Sequence, residues 1–397
     1  MGSWHCRSAA NLVTPADSSY DLMKENLGGM RHMAGQEDKT SVGGQSGPKK
    51  PSIDKDLQKI EQLERATRTV SRAWPSTGIA AFFLATAGIL ASMQVGAAQS
   101  SIIVIAAAII GGYMALTIGA NDVANNVGPA VGARALTMFG ALVIAAIFEF
   151  AGALIAGGSV VKTISKGIID PSLVPSSDVF AWIMMSALLA SALWVHLATY
   201  LGAPVSTTHS IVGGVLGAGL AAVGVEAVDW FVMASIAASW LTSPLIGGLI
   251  AAAFLAFIKI RLIYQEDKIA AAQRWVPVLV GIMSAAFGAY LVVKGLKHVW
   301  KPGFPAIIAI AILIYVVTYF AARPWVRRES AGMENRNQSL RKLFHLPLIC
   351  SAALLSFAHG SNDVANAVGP LAAIVSSATT GELSSEVGVP IWVLVIG

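Results

Sequence analysis

Two aspartates, each flanked by asparagines inside strongly apolar sequence, are the residues of this chain best placed to do chemistry. The segments Gly119-Ala-Asn-Asp-Val-Ala-Asn-Asn-Val-Gly-Pro129 and Gly360-Ser-Asn-Asp-Val-Ala-Asn-Ala-Val-Gly-Pro370 agree at nine of eleven positions. A charged side chain at the middle of a bilayer costs roughly 2.5–3.5 kcal/mol on insertion scales, and membrane anchoring has no use for that cost twice. Asn121 with Asn125, and Asn362 with Asn366, are four residues apart and so share a helix face, with Asp122 and Asp363 beside them. Carboxylate and amide oxygens form a hard donor set for a small hard cation, and sodium fits it. Gly128-Pro129 and Gly369-Pro370 are expected to interrupt their helices, because proline removes a backbone donor. Backbone groups freed at such a break bind ions in transporters. Interhelical hydrogen-bond glue explains one isolated asparagine better than a duplicated cluster with an ionisable group in each copy.

A second constellation reads Pro204-Val-Ser-Thr-Thr-His209. Pro204 ends one segment and Ser206 is a natural cap for the next helix. The hydroxyls of Ser206, Thr207 and Thr208 then surround a helix N-terminus, whose free N–H groups and positive dipole suit a tetrahedral oxyanion. Ser-Thr-Thr alone is an ordinary cap; beside paired intramembrane aspartates it reads as an anion site. Glu149 is a third acid inside apolar sequence, and an intramembrane acid is a functional candidate by default, here for ion coupling or gating. His196, His209 and His359 also lie in apolar sequence. His196 reads as structural, while His209 and His359 adjoin the motifs and have a reference pKa suited to proton relay.

The elements that must position these groups are membrane helices. The chain is 55% hydrophobic and 12% charged, with mean hydropathy +0.67, against roughly 25% charged residues in a soluble domain. Apolar stretches of spanning length occur near 77–96, 101–118, 136–157, 179–202, 207–226, 230–258, 275–293, 303–322 and 343–358, with a shorter one near 365–377. Their Gly, Ala and Ser content suits close helix packing and leaves a homodimer open. The fold class expected is an all-α polytopic membrane protein, an inverted-repeat bundle with broken helices. The net charge of +5 does not indicate nucleic acid, since the basic residues are spread among short loops without interleaved aromatics. Cys6 and Cys350 offer neither a disulfide framework nor metal-ligand spacing, and no cofactor is expected.

Residues 1–74 carry eleven Lys or Arg and nine Asp or Glu, and read as a polar tail, disordered at first, then an amphipathic helix over Ser52–Val70. Residues 75–100 hold an extra N-terminal span, 101–258 a first repeat, 259–341 loops and connecting spans, and 342–397 a second, incomplete repeat. Loops 259–274 and 323–342 together hold ten Lys or Arg, which assigns that side, and by counting spans the tail, to the cytoplasm of the cell membrane. The spans entering the two motifs then run in opposite senses, as alternating access requires.

The motifs at 119–125, 360–366 and 204–209, with Ile147-Phe-Glu-Phe and Lys166-Gly-Ile-Ile-Asp170, resemble the inorganic phosphate transporter (PiT) family over most of residues 101–397. That resemblance implies symport of phosphate with sodium or protons, a site built from the Asn-Asp-x-x-Asn and Ser-Thr-Thr elements, and an essential acid at Glu149. Taken with the donor chemistry above, the expected cation-binding residues are Asp122, Asn121, Asn125, Asp363, Asn362, Asn366 and Glu149, with sodium the metal ion that would fit Asp122 and Asp363, and the expected phosphate-binding residues are Ser206, Thr207 and Thr208. The family carries a second Pro-Val-Ser-Thr-Thr-His after the second aspartate motif, whereas this chain ends at Gly397 within an apolar segment. C-terminal truncation is therefore expected. The alternatives are a permease for sulfate or another oxyanion, and a phosphate-binding membrane sensor signalling through residues 1–74. An intramembrane enzyme is not expected, because the three-residue spacing of Ser206 and His209 suits capping better than a catalytic pair.

Overall fold

The computed structural model describes residues 74–95, 101–157, 167–295, 300, 302–381 and 389–397. Apart from Trp74, the polar tail and its amphipathic stretch lie outside the described residues. Apolar runs become helices α1 (Trp74–Gln94), α2 (Ser101–Gly132), α3 (Met138–Ala156), α4 (Ser177–Tyr200), α5 (Thr207–Ala222), α6 (Trp230–Ile258), α7 (Lys268–Lys294), α8 (Phe304–Glu329), α9 (Asn337–Leu343), α10 (His345–Thr380) and α11 (Ile391–Ile396). Among the described residues β structure is limited to one isolated bridge, Ile169 with Val228. Among the described residues seven helices are long and apolar enough to cross a membrane, or eight if α9 and α10, bent by 45° at their junction, form one span.

Several starts are set by short polar side chains that accept otherwise unpaired N–H groups. Thr137 accepts from Gly140, Ser176 from Val179, Asp229 from Phe231 and Val232, and Asp267 from Ala270. Asp170 plays this part in the loop before α4, where the Ser172 hydroxyl and N–H donate to its carboxylate at 2.7 and 2.9 Å and hold its pKa below the usual range.

Helix continuity departs from the sequence expectation in three places. The helices expected to break at Pro129 and Pro370 run straight through them. Each proline removes one backbone hydrogen bond, and the helices keep the rest; Pro370 and the residues around it from Ala365 to Val375 are all buried. The separate stretches near 343–358 and 365–377 belong to one 36-residue helix, α10, because its polar motif lowers hydropathy without ending helical structure. The stretch near 207–226 yields only the 16-residue α5, roughly 24 Å at 1.5 Å per residue.

Instead, α4 and α5 form a hairpin. Ser191 on α4 donates to the Ser210 carbonyl of α5 at 2.9 Å, and Gly202, at φ 69°, turns the chain at the tip. At the other end Asp170 N–H donates to Ala227 at 2.8 Å and Asp229 N–H to Ile168 at 3.0 Å. The start of α4 and the end of α5 therefore lie together.

The main core joins α1, α2, α4, α5, α10 and α11, with Met114, Met184, Leu188, Ile211, Leu371 and Ile374 fully buried. Gly111 of α2 meets Leu371 while Asp122, eleven residues on, meets His359, so α2 and α10 run antiparallel. Across α3 and α10 the backbones touch: a Cβ on Gly152 would meet the Phe357 carbonyl, and one on Gly360 the Glu149 backbone. A smaller apolar cluster of Leu262, Ala272, Val276, Val326, Leu340 and Leu343 forms at the basic end of α6 to α9. The middle of α6 is bare, with Leu241, Leu245 and Leu249 exposed, as suits a lipid-facing helix.

Candidate functional site

The antiparallel pair α2 and α10 brings the two aspartates together. Asp363 lies midway along α10, and Asp122 is buried on the face of α2 that also carries Ile118, Asn126 and Val127. Between them stands His359, one helical turn before Asp363. Its Nε2 is 2.9 Å from Asp363 Oδ2 and 3.8 Å from Asp122 Oδ2, and its Nδ1 is 3.2 Å from Glu149 Oε1. The Nε2 atom is sealed from solvent, and despite its distance from Asp363 it is not aligned for a hydrogen bond. Three carboxylates from three helices thus surround one imidazole. Glu149 reaches this group because Gly152 and Gly360 let α3 cross α10 in backbone contact.

One ligand atom each from Asp122, His359 and Asp363 lies within 4.8 Å of the others, close enough to gather around a single cation. Two carboxylates fit a hard ion such as sodium. Because Pro129 and Pro370 have no N–H, the carbonyls of Asn125 and Asn366, four residues earlier, lose their usual helical donor. They are the oxygens that a break was expected to free, released here inside continuous helices.

The Ser-Thr-Thr helix start abuts the carboxylate cluster. Ser206 caps α5 by accepting from His209 N–H at 3.2 Å; the N–H groups of Thr207 and Thr208, as at any helix start, have no intrahelical acceptor. Asn366, 1% exposed, donates to Thr207 Oγ1 at 3.3 Å, Thr208 Oγ1 at 3.1 Å and Asp363 Oδ1 at 3.4 Å. A single amide thus spans from the second aspartate to the hydroxyls at the helix start.

The asparagines divide their labour unequally. Asn121 donates to Thr199 Oγ1 at 2.9 Å and to the Ala203 carbonyl at 3.3 Å, and accepts from Val205 N–H at 3.3 Å. It therefore clamps the tip of the α4–α5 hairpin from one side while Asn366 holds the start of α5 from the other. Asn125 and Asn362 are exposed, and among the described residues no hydrogen bond ties them to the cluster. The inward place expected for Asn125 is taken by Asn126, whose amide donates to Glu149 Oε1 at 2.9 Å. Sequence reasoning overlooked Asn126 because it is Ala367 in the second copy; its position four residues after Asp122 was the available signal. Ser361, whose hydroxyl contacts that of Tyr290 on α7, was also overlooked.

The histidines separate by partner. His196 Nδ1 meets the Tyr113 hydroxyl at 2.7 Å, in keeping with a structural residue. His209 packs edge-on to Trp240 of α6, ring centres 3.9 Å apart, and its ring belongs to that contact. His359 alone among them enters the carboxylate cluster.

A polytopic helical membrane protein with two oppositely directed motif helices and a buried polar centre is the class that this fold and site define. The chain belongs to the phosphate transporter family, whose model matches residues 118–397. It is 46% identical over 347 residues to a "Putative phosphate permease" of Helicobacter pylori strain J99, covering 86% of this chain and 65% of that protein. With a "Putative phosphate permease" of Pyrococcus abyssi it shares 38% identity over 291 residues, covering 73% of this chain and 71% of the relative. Its fold is similar to a solved structure titled "The sodium-dependent phosphate transporter", with TM-score 0.69, 36% identity and coverage of 74% of this chain and 72% of that one. The chain therefore spans about two thirds of the length of the Helicobacter relative, 65%.

Proposed function

We propose that this chain forms the core of a secondary active transporter that carries inorganic phosphate across the membrane, coupled to a sodium or proton gradient. The observation that carries the reading is the Asn366 amide, which touches both Asp363 and the Thr207 and Thr208 hydroxyls. A cation at Asp122 and Asp363 and an oxyanion at the start of α5 would be neighbours. Each then offsets the other's charge, and each raises the other's affinity by the same factor, which is the thermodynamic content of symport. The antiparallel course of α2 and α10 supports inverted repeats around a shared site.

Sodium is the preferred coupling ion, on the carboxylate oxygens of Asp122 and Asp363 at the site and the likeness to a structure titled as sodium-dependent. Phosphate is preferred over sulfate on family membership, and the same family argues against a sensor working through residues 1–74. Catalysis by Ser206 and His209 finds no support, since the Ser206 hydroxyl accepts from the His209 backbone and the His209 ring packs on Trp240.

The test is uptake of radiolabelled phosphate into proteoliposomes under an imposed sodium gradient, an imposed pH gradient and neither. Sodium-driven uptake is expected, with Asp122→Asn reducing it about tenfold or more, equivalent to at least about 1.4 kcal/mol. Normal gradient-driven uptake by Asp122→Asn would overturn the cation assignment, and sulfate outcompeting phosphate would overturn the substrate.

A further inference from the structure

The basic end of the bundle holds a groove that the transport reading does not use. It lies between the C-terminal end of α6, the short helix α9 and the first turns of α10. One cavity of about 370 Å³ is lined by Ile258, Leu262, Leu340, Phe344 and Leu348, with Asn337 and Arg341 as its polar members. A second, of about 250 Å³, continues along α7 and α10 and shares Ile258, Phe344 and Leu348 with the first. Through those shared residues the two line up as one largely apolar channel, with the charged Arg341 at one end and the Ser351 hydroxyl as the polar member of the second cavity. A π turn, Lys259–Ile263, carries α6 onward, and its Leu262 and Ile263 line the first cavity.

Arg341 stands at that polar end. Its Nε and Nη2 donate to the Ala133 carbonyl, just past the C-terminus of α2, at 3.1 and 2.5 Å. A guanidinium has five N–H donors in a planar fork, and this contact uses one edge, leaving the Nη1 donors for an oxyanion. Basic residues outnumber acidic ones in the segments that form this end, ten Lys or Arg over 259–274 and 323–342 against Glu266, Asp267, Glu329 and Glu334, and Arg261 and Arg274 flank the Trp275 ring at 5.6 and 5.2 Å. Tryptophan with arginine is the composition of a membrane–water boundary, so the channel begins at the headgroup level and runs toward the hydrocarbon.

The geometry points to a binding site for one anionic phospholipid, with its phosphodiester on Arg341 and an acyl chain in the channel. A free oxyanion would leave the apolar length unfilled, and a zwitterionic lipid would bring a second cation into a basic patch. Basic pockets between membrane helices on the positively charged side are sites of this kind. Since Arg341 also holds the end of α2, an occupied site would bear on the helix that carries Asp122.

The test is native mass spectrometry of the full chain in mild detergent, titrated with phosphatidylglycerol or phosphatidylcholine of the same chain length, with and without inorganic phosphate. Retention of phosphatidylglycerol about fivefold above phosphatidylcholine is expected from one well-placed arginine. Arg341→Gln should abolish that preference and Arg341→Lys should keep most of it. Ile258→Trp, which fills the channel and leaves Arg341 in place, should reduce phosphatidylglycerol retention to the zwitterionic level. Inorganic phosphate should not displace the lipid. Equal retention of the two lipids, a preference that survives both Arg341→Gln and Ile258→Trp, or displacement by inorganic phosphate would each overturn the proposal.

Discussion

Asn126 shows how little chemical identity decides without position. It differs between the two copies of the motif, yet its amide reaches Glu149 at 2.9 Å, whereas the repeated Asn125 and Asn362 are exposed. On a helix the inward face recurs every three to four residues, so Asp122 and Asn126 share it and Asn125 falls beside it. Glu149 thus has two partners, Asn126 and His359, and the amide fixes the carboxylate against the imidazole. Asn126→Ala should cost only about 0.6 kcal/mol in stability, the average for a polar contact in a membrane bundle, yet reduce phosphate uptake severalfold by freeing Glu149. A melting temperature lowered by many degrees, or unchanged uptake, would show that Asn126 serves packing alone.

At the scale of elements, the site depends on two devices. One is the α3–α10 crossing, where Gly152 and Gly360 allow backbone contact and so bring Glu149 to His359. A side chain on Gly360 would meet backbone, which cannot swing aside, and overpacking of this kind costs about 1–3 kcal/mol. Gly360→Val should therefore lower thermal stability and abolish uptake, while Gly217→Ala on α5, where a Cβ meets nothing within 4 Å, should change neither. Equal behaviour of the two variants would remove the crossing from the account. The other device is the α4–α5 hairpin, whose tip is held by Asn121 from α2 and whose second helix is held by Asn366 from α10. The start of α5, proposed above as the anion site, is consequently held by both motif helices.

For the whole molecule, the loops sort into two ends. The Ile169–Val228 bridge joins the loops before α4 and after α5, and the Arg341 contact with Ala133 joins the loop after α2 to α9. By the positive-inside rule the second end, with its ten Lys and Arg over 259–274 and 323–342, is expected to face the cytoplasm. In a background lacking Cys6 and Cys350, a cysteine at exposed Ser172 should react with an impermeant maleimide from outside intact cells, and one at exposed Glu329 only after permeabilisation. The reverse pattern would invert the orientation, and equal labelling of both would deny a fixed one.

Composition and the duplicated motif were enough to indicate a helical membrane bundle, and the resemblance pointed to its family, because hydropathy and repeated residue types are properties of the chain alone. The Ser206 cap and the placement of the acid Glu149 inside an apolar helix were legible for the same reason, each being a local pattern. Helix ends inside the membrane were not legible: Pro129 and Pro370 look like breaks in one dimension, yet a proline removes only one backbone hydrogen bond, and both helices run on through it, Pro370 inside a buried stretch and Pro129 at an exposed position. Nor could the sequence choose among the asparagines or centre His359 among three carboxylates. Those outcomes depend on which face of each helix meets a partner, and that is decided by the antiparallel crossing of α2 with α10 and the glycine contact of α3 with α10. Distances between residues 210 or more positions apart in the chain, such as Glu149 with His359, exist only once the helices have packed.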